Sequence, residues 1–268
     1  VYSLEGLALL EFCDTQTKER VVKDESKTQE VTYSDLFTEF GRNRPLRVLA
    51  FFFITAFAMM ASGNSASAYY MQYNVHHAEA LKWFNALGSL PAFIFLPMVP
   101  AIKRAIGKKR MFYVFLTIAI TGMALLYAIS SIDSLKSQLW LIYVAQFITS
   151  TGVIVATGYM WALVPEVISY GEWKSGKRIS GVVNAVTGIF FKAGFALGGV
   201  VPGVVLAYTG YNAKLAEQSV FAQQGIMWLV AVIPAILILL AMFIISKYDL
   251  EDVVLDKINR EIAERHLE

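Results

Sequence analysis

The chain has 268 residues, of which 56% are hydrophobic and 16% are charged. Soluble domains average about 45–50% apolar and 25% charged residues, so this composition indicates a protein with several membrane spans. A net charge of +2 with scattered basic residues gives no indication of a nucleic-acid surface. The single cysteine, Cys13, excludes an internal disulfide framework or a multi-cysteine metal site.

The segment before the first complete apolar run divides into two parts. Residues 1–13 are apolar but too short to cross a bilayer, and we interpret them as the end of a preceding transmembrane helix. Because the chain neither begins with Met nor shows a signal peptide, we expect it to start inside a longer protein. Residues 14–45 are polar and of mixed charge, and are interpreted as a central cytoplasmic loop that ends in a short interfacial helix.

Six apolar runs follow, each long enough to cross a bilayer as a helix. They cover residues 46–71, 84–102, 111–129, 138–164, 182–208 and 225–245. Residues 46–246 are therefore predicted to form a six-helix transmembrane bundle with an all-α fold. Residues 247–268 carry an apolar side chain at every fourth position from Leu250 to Ile262, which predicts an amphipathic tail helix.

The connections between the runs predict how the bundle is oriented. Basic residues are concentrated in the second and fourth connections: Lys103, Arg104, Lys108, Lys109 and Arg110, then Lys174, Lys177 and Arg178. The alternate connections contain few basic residues. The positive-inside rule therefore places the linker, the second and fourth connections and the carboxyl-terminal tail in the cytoplasm.

A lone lysine, Lys192, lies about ten residues inside the fifth apolar run. At about 1.5 Å per residue it is roughly 15 Å deep, near the middle of a hydrocarbon layer about 30 Å thick. An ammonium group at that depth costs at least about 2.5–3.5 kcal/mol. The alternative is a side chain that snorkels to an interface. We interpret Lys192 as marking the path of a polar ligand.

Several segments resemble one family of transporters. They are YGEWKSGKR at 170–178, KAGFALGG at 192–199, GY at 210–211, NSASAYYMQY at 64–73 and TKERV at 17–21. On these segments the chain resembles the glycoside–pentoside–hexuronide:cation symporters, the melibiose permease-like branch of the major facilitator superfamily. The resemblance implies that the chain is the carboxyl-terminal half of a major-facilitator fold. It departs from the family pattern at Ser169, where an aspartate is usual, whereas Glu166 keeps the acidic charge.

The resemblance implies a cation-coupled symporter for a sugar or glycoside that works by alternating access. It also implies that an amino-terminal six-helix half is missing, that this half binds the coupling cation (Na⁺ or H⁺), and that the chain alone does not transport. No other cofactor is expected. Two alternatives stay open: a non-sugar facilitator, and a non-transporting membrane sensor or scaffold subunit. The sequence contains no nucleotide-binding glycine loop, nucleophile elbow or HExxH motif that would favour an enzyme.

Five residues are predicted to bind substrate: Lys192, Thr187, Trp161, Asn64 and Tyr69. By resemblance, Lys192 lies at the centre of sugar binding and charge coupling, and Thr187 precedes it on the same predicted helix. Trp161 offers an aromatic face to a sugar ring, although aromatic residues near helix ends are also common interface anchors. Interhelical packing is the alternative for Asn64, and Tyr69 is expected nearer the outer face.

A second predicted set forms a cytoplasmic gating loop. It consists of Glu166, Glu172, Lys174, Lys177 and Arg178. Acidic residues in this loop are expected to pair with basic residues of the opposing half and to separate as the halves rock. No metal site is predicted, since the adjacent His76 and His77 point apart on any regular element.

Overall fold

A computed structural model describes residues 33–176 and 179–265, with side chains from Leu36 onward. The predicted helix end at 1–13 and most of the predicted linker lie outside these residues, as do Lys177 and Arg178.

Each helix longer than a single turn in the described residues receives a label here. They are α1 (Tyr33–Arg42), α2 (Arg44–Asn74), α3 (Ala78–Ile106), α4 (Lys108–Ser130), α5 (Leu139–Met160), α6 (Leu163–Ser175), α7 (Ser180–Tyr208), α8 (Val220–Ser246) and α9 (Asp252–Arg265). The last turn of α2 and the middle of α8 are π-helical, at Tyr70–Asn74 and Trp228–Val232.

Six of these segments are long and apolar enough to cross a membrane: α2, α3, α4, α5 with α6, α7 and α8. The prediction of an all-α, six-span bundle is confirmed. The chain is a multi-pass membrane protein, and α9 follows the last span as a helix of its own.

The spans pack in two groups of three. In the first group α2 contacts both α7 and α8, and in the second α5 contacts both α3 and α4; contact between α4 and α8 joins the groups. Glycines allow the closest approaches, because a Cβ atom at Gly198 of α7 would lie 2.5 Å from the carbonyl oxygen of Ala58 on α2. Close helix contact through small residues is a common way to pack spans in a membrane.

The start of α2 is fixed by local capping. The side chain of Asn43 accepts a hydrogen bond from the backbone N–H of Leu46 at 3.0 Å, and Pro45 occupies the first turn, where a missing N–H has no cost. The same amide donates to the carbonyl oxygen of Val167 at 3.3 Å. Asn43 therefore ties the beginning of α2 to α6.

The spans are buried to very different extents. In α2, 72% of the most apolar stretch is buried inside the bundle. The corresponding share is only 22% in α7 and 11% in α3. The central position of α2 and the open faces of α3 and α7 leave a broad surface of the bundle uncovered.

Candidate functional site

Lys192 lies on the open face of α7. It is twelve residues from the first residue of α7 and sixteen from the last, which corresponds to about 18 Å and about 24 Å along the helix axis. Its side chain is exposed and makes no hydrogen bond or ion pair with the residues that the structure describes. The structure therefore presents an ammonium group at mid-span on an uncovered surface.

An aromatic cluster adjoins Lys192. Phe191 and Phe195 of α7 contact Phe57 of α2, with ring centroids 4.4 and 5.2 Å away. Trp161, the residue directly after α5, packs edge-to-face on Phe53 at 4.8 Å and leaves 49% of its surface exposed. Of these residues Trp161 was predicted to bind substrate, and Phe191 was expected beside Lys192. The four-residue spacings of the phenylalanines, 53 with 57 and 191 with 195, are the sequence signal that points to the rest.

Thr187 does not open onto this surface. Its side chain is buried, and its hydroxyl donates to the carbonyl oxygen of Val183 at 2.7 Å. Thr187 and Lys192 are five residues apart and so lie on different faces of α7. We expected Thr187 to line the substrate cavity. The structure instead buries its side chain inside the bundle.

Tyr69 lies far from Lys192 along the bundle. Its ring packs edge-to-face on Tyr211 at 5.3 Å, near the end of α2. It is twelve residues beyond Phe57, or about 18 Å along the axis. The structure therefore does not bring Tyr69 together with Lys192, and its role in substrate binding stays a prediction.

Asn64 lines a cavity of about 440 Å³ between α2, α3 and α5. Its polar lining includes Asn64, Ser67, Asn85, Ser89, Gln146 and Ser150. Apart from Asn64, this set was missed by the sequence reasoning, because one amide in an apolar helix does not reveal its neighbours. Spacings of four, 85 with 89 and 146 with 150, are the signal that could have shown two polar helix faces.

A charged cluster lies at the opposite end of the bundle from Tyr69. Lys108 and Glu166 form an ion pair of 2.7 Å with side chains only 6% and 10% exposed. The hydroxyl of Tyr248 donates to the same carboxylate at 3.0 Å. Asp252, at the start of α9, contacts Lys108 at 3.1 Å and Lys103 at 2.5 Å. The cluster therefore joins the ends of α3 and α4 to α6 and to the tail helix.

Two titratable groups of this cluster lie outside the spans. Burial, with the nearby Glu166 carboxylate, raises the pKa of the Tyr248 phenol above its ordinary value, so the hydroxyl remains a hydrogen-bond donor. Burial opposes ionisation of Asp252, but hydrogen bonds from Lys103 and Lys108 outweigh it and lower the pKa of this carboxyl. Asp252 is therefore a carboxylate at neutral pH.

The described part of the predicted gating loop, up to Ser175, is helical, which corrects the sequence interpretation for Glu166, Glu172 and Lys174. Glu166, Glu172 and Lys174 all lie in α6, which tolerates Pro165 in its first turn and ends at Gly176 in a left-handed conformation. Glu166 pairs with Lys108 of its own bundle, and Lys174 donates to the carbonyl oxygen of Arg42 at 2.9 Å. The role of these residues in gating stays a prediction.

A family model described as MFS/sugar transport protein matches residues 6–252. The chain belongs to this family. The match covers all six spans, and with it the surface that carries Lys192.

Relatives in this family are named as transporters. The chain is 40% identical to "Uncharacterized symporter YnaJ" of Bacillus subtilis, over 99% of this chain and 56% of the relative. It is 30% identical to "Glucuronide carrier protein homolog" of Escherichia coli, over 99% and 56%. It is 27% identical to "Putative glycoside/cation symporter YagG" of the same organism, over 98% and 55%. The chain thus spans about half the length of these relatives.

Proposed function

We propose that this MFS/sugar transport family chain is the carboxyl-terminal half of a symporter that couples a sugar or glycoside to Na⁺ or H⁺ by alternating access. A second six-helix half completes the site and supplies the ligands of the cation. The whole protein resides in the inner membrane, with the linker, the Lys103–Lys108 end of the bundle and α9 in the cytoplasm. The basic residues at that end support this orientation.

The main support for this proposal comes from the residues that surround Lys192 on α7. Small residues flank it at helical spacing along the same open face: Gly181, Ala185, Gly188, Ala196, Gly199 and Gly203. Such a stripe lets another helix approach closely, whereas lipid tails need no small side chains. An ammonium group in the middle of the stripe is stable beside a carboxylate or a wet cleft but not beside lipid. This face is therefore assigned to the second half and to the substrate path between the halves.

The aromatic cluster supports a sugar as the cargo. Trp161 is half exposed, and its ring lies 5.9 Å from that of Phe191, the residue before Lys192. An indole face packs against the apolar C–H side of a pyranose, and an ammonium group donates to its hydroxyls. We therefore expect Trp161 and Lys192 to hold opposite aspects of the same sugar ring.

Gradient-driven uptake by the protein carrying both halves tests the proposal. Radiolabelled xylose, galactose, glucuronate and melibiose are offered to vesicles under an imposed Na⁺ or H⁺ gradient. At least one sugar should accumulate, Lys192→Leu should reduce that accumulation at least tenfold, and Lys214→Leu, in an exposed loop, should leave it unchanged. Normal accumulation by Lys192→Leu would overturn the assignment of Lys192. Sugar binding without any uptake would favour the sensor alternative.

A further inference from the structure

A groove of about 320 Å³ lies between the first turns of α2 and the last turns of α8. Three basic residues line it where the two spans begin and end: Arg44, Arg47 and Lys247. The rest of its lining is apolar and consists of Val48, Phe51, Phe243 and Ile244. No acidic residue is among the described residues that line this groove. Its chemistry is therefore that of a positively charged, amphipathic surface.

The basic and the apolar residues of the groove lie at different depths in the span. On α2, Phe51 comes four residues after Arg47, and on α8, Phe243 comes four residues before Lys247. Four residues correspond to about 6 Å along a helix axis. Because α2 begins at this end of the bundle and α8 ends there, both basic residues lie nearer the membrane surface than the two aromatic rings. A phospholipid has the same order, with a charged headgroup above apolar chains.

The positive charge of the groove is only partly neutralised by the protein. Arg44 pairs with Asp249 at 3.0 Å, and both side chains are more than half exposed. Arg47 donates to the carbonyl oxygen of Gly41 in α1. Neither Arg47 nor Lys247 makes an ion pair with any residue that the structure describes. Two basic groups from different helices therefore remain for an anion from outside the chain.

Other basic residues at this end of the bundle are used differently. Lys108 contacts Glu166 and Asp252, so its charge is neutralised inside the protein. Arg110, at the start of α4, is exposed but does not line the groove. A single exposed cation at a span end is common, because its charge reaches the aqueous surface. The groove differs because its cations converge from two helices above an apolar floor.

The apolar part of the groove continues along the outer face of α8. Ile236, Leu240 and Phe243 follow at intervals of four and three, so they share one face, and all three are exposed. These side chains are large, in contrast to the small residues on the open face of α7. Large apolar side chains suit contact with lipid, whereas small ones suit close contact between helices. The groove therefore opens onto a surface that can hold an acyl chain.

One wall of the groove is held in place by neighbouring helices. The ring of Phe51 lies 6.3 Å from that of Phe40 in α1 and 5.7 Å from that of Phe190 in α7. These contacts fix the ring, yet about half of the Phe51 surface stays exposed. The wall is thus preformed, which lowers the cost of ordering it when a ligand binds.

We propose that this groove binds one anionic phospholipid, such as phosphatidylglycerol, from the leaflet at this end of the bundle. The lipid phosphate lies between Arg47 and Lys247, with Arg44 at its edge, and accepts hydrogen bonds from their N–H groups. An acyl chain runs past Phe51 and Phe243 along α8. Basic pockets between spans are known to recognise anionic headgroups. The site acts on the bundle itself, so it does not depend on which cargo the protein carries.

Lipid titration by native mass spectrometry tests the site in the protein that carries both halves. The first bound phosphatidylglycerol is compared with phosphatidylcholine of the same chain lengths in a mild detergent. Phosphatidylglycerol should bind at least tenfold more tightly. A basic residue near an anionic headgroup contributes about fivefold in affinity, so Arg47→Gln and Lys247→Gln should each weaken phosphatidylglycerol binding about three- to tenfold. Binding of phosphatidylcholine should stay within twofold.

Arg110→Gln is the matched control, because it removes one exposed positive charge at the same end of the bundle but outside the groove. It should change phosphatidylglycerol affinity by less than twofold. A second measurement is the unfolding temperature in detergent with and without added lipid. Phosphatidylglycerol should stabilise the unsubstituted protein and Arg110→Gln more than it stabilises the variant that combines Arg47→Gln with Lys247→Gln. This comparison holds even where the groove variants are less stable without lipid.

Four results would overturn the proposal. They are equal affinity for the two lipids, unchanged phosphatidylglycerol affinity in the combined variant, an equal loss in Arg110→Gln, and displacement of the lipid by millimolar glycerol 3-phosphate. The third result would mean that net charge alone attracts the lipid. The fourth would mean that the groove holds a soluble phosphate without using its apolar floor.

Discussion

Glu166→Gln is expected to destabilise the bundle more than any loss of a surface ion pair. The substitution removes the charge that faces Lys108 at 2.7 Å, where both side chains are at most 10% exposed. Removing one member of a buried pair costs about 3–5 kcal/mol, because the other charge stays buried without its partner. Asp252 still contacts Lys108 at 3.1 Å, but its side chain is 49% exposed. Screening weakens that contact, so the expected loss is about 2–3 kcal/mol.

A double-mutant cycle in detergent separates the pair from its surroundings. Unfolding free energies are measured by tryptophan fluorescence for Glu166→Gln, Lys108→Met and the double variant. The double variant should recover at least about 1 kcal/mol relative to the sum of the single losses, since no buried charge is then left unpaired. Asp133→Asn removes the partner of Lys136 in an exposed pair and should cost less than about 0.5 kcal/mol.

Two results would refute this reasoning. One is a loss in Glu166→Gln no larger than in the Asp133→Asn control. The other is strict additivity of the two single losses, which would mean that Lys108 and Glu166 do not interact across the bundle.

Three further predictions concern pH, packing and orientation. Asp252 has a lowered pKa, so its contribution is present above its ordinary value of 3.8 and is lost as the pH falls through the folded value; Asp252→Asn should be less stable by under about 1 kcal/mol at pH 7, and thermal unfolding should show this difference shrinking as the pH falls below 3.8. Gly198→Ala should cost at least about 1 kcal/mol in thermal unfolding, because the new methyl meets α2, whereas Gly41→Ala in α1, where an added Cβ atom meets nothing within 4 Å, should be neutral or stabilising. In cysteine-free protein, a membrane-impermeant maleimide should label Ser131→Cys from outside intact cells and Arg110→Cys only after lysis; the reverse pattern would invert the proposed orientation.

The fold was largely predictable because a bilayer selects long apolar runs. The run at 182–208 matches α7, Ser180–Tyr208, to within two residues. The largest error was at the run ending at 164, which continues as α6 to Ser175. Charged residues there suggested a loop, but Glu166 pairs with Lys108 and Lys174 bonds to the end of α1, so charge alone did not mark the end of a helix.

The candidate site was less predictable because it depends on contacts between distant segments. Lys192 could be identified from the sequence, because a lone charged residue inside a long apolar run is visible without knowledge of the fold. Asn64, Asn85 and Ser150 line one cavity because α2, α3 and α5 pack together there, and no local sequence pattern predicts that packing. Thr187 was predicted to bind substrate because it is near Lys192 in sequence. Its side chain instead faces the interior of the bundle.

Alkylation one helical turn from Lys192 tests most directly whether the polar cargo passes beside this residue. In the protein with both halves, Ala196→Cys, which keeps Lys192, is treated in a cysteine-free background with a water-soluble maleimide, with and without the transported sugar. The account predicts labelling that the sugar slows severalfold, as expected for a wet site that substrate occupies. A residue that never reacts, as in lipid, or that reacts equally fast with sugar present, would contradict it.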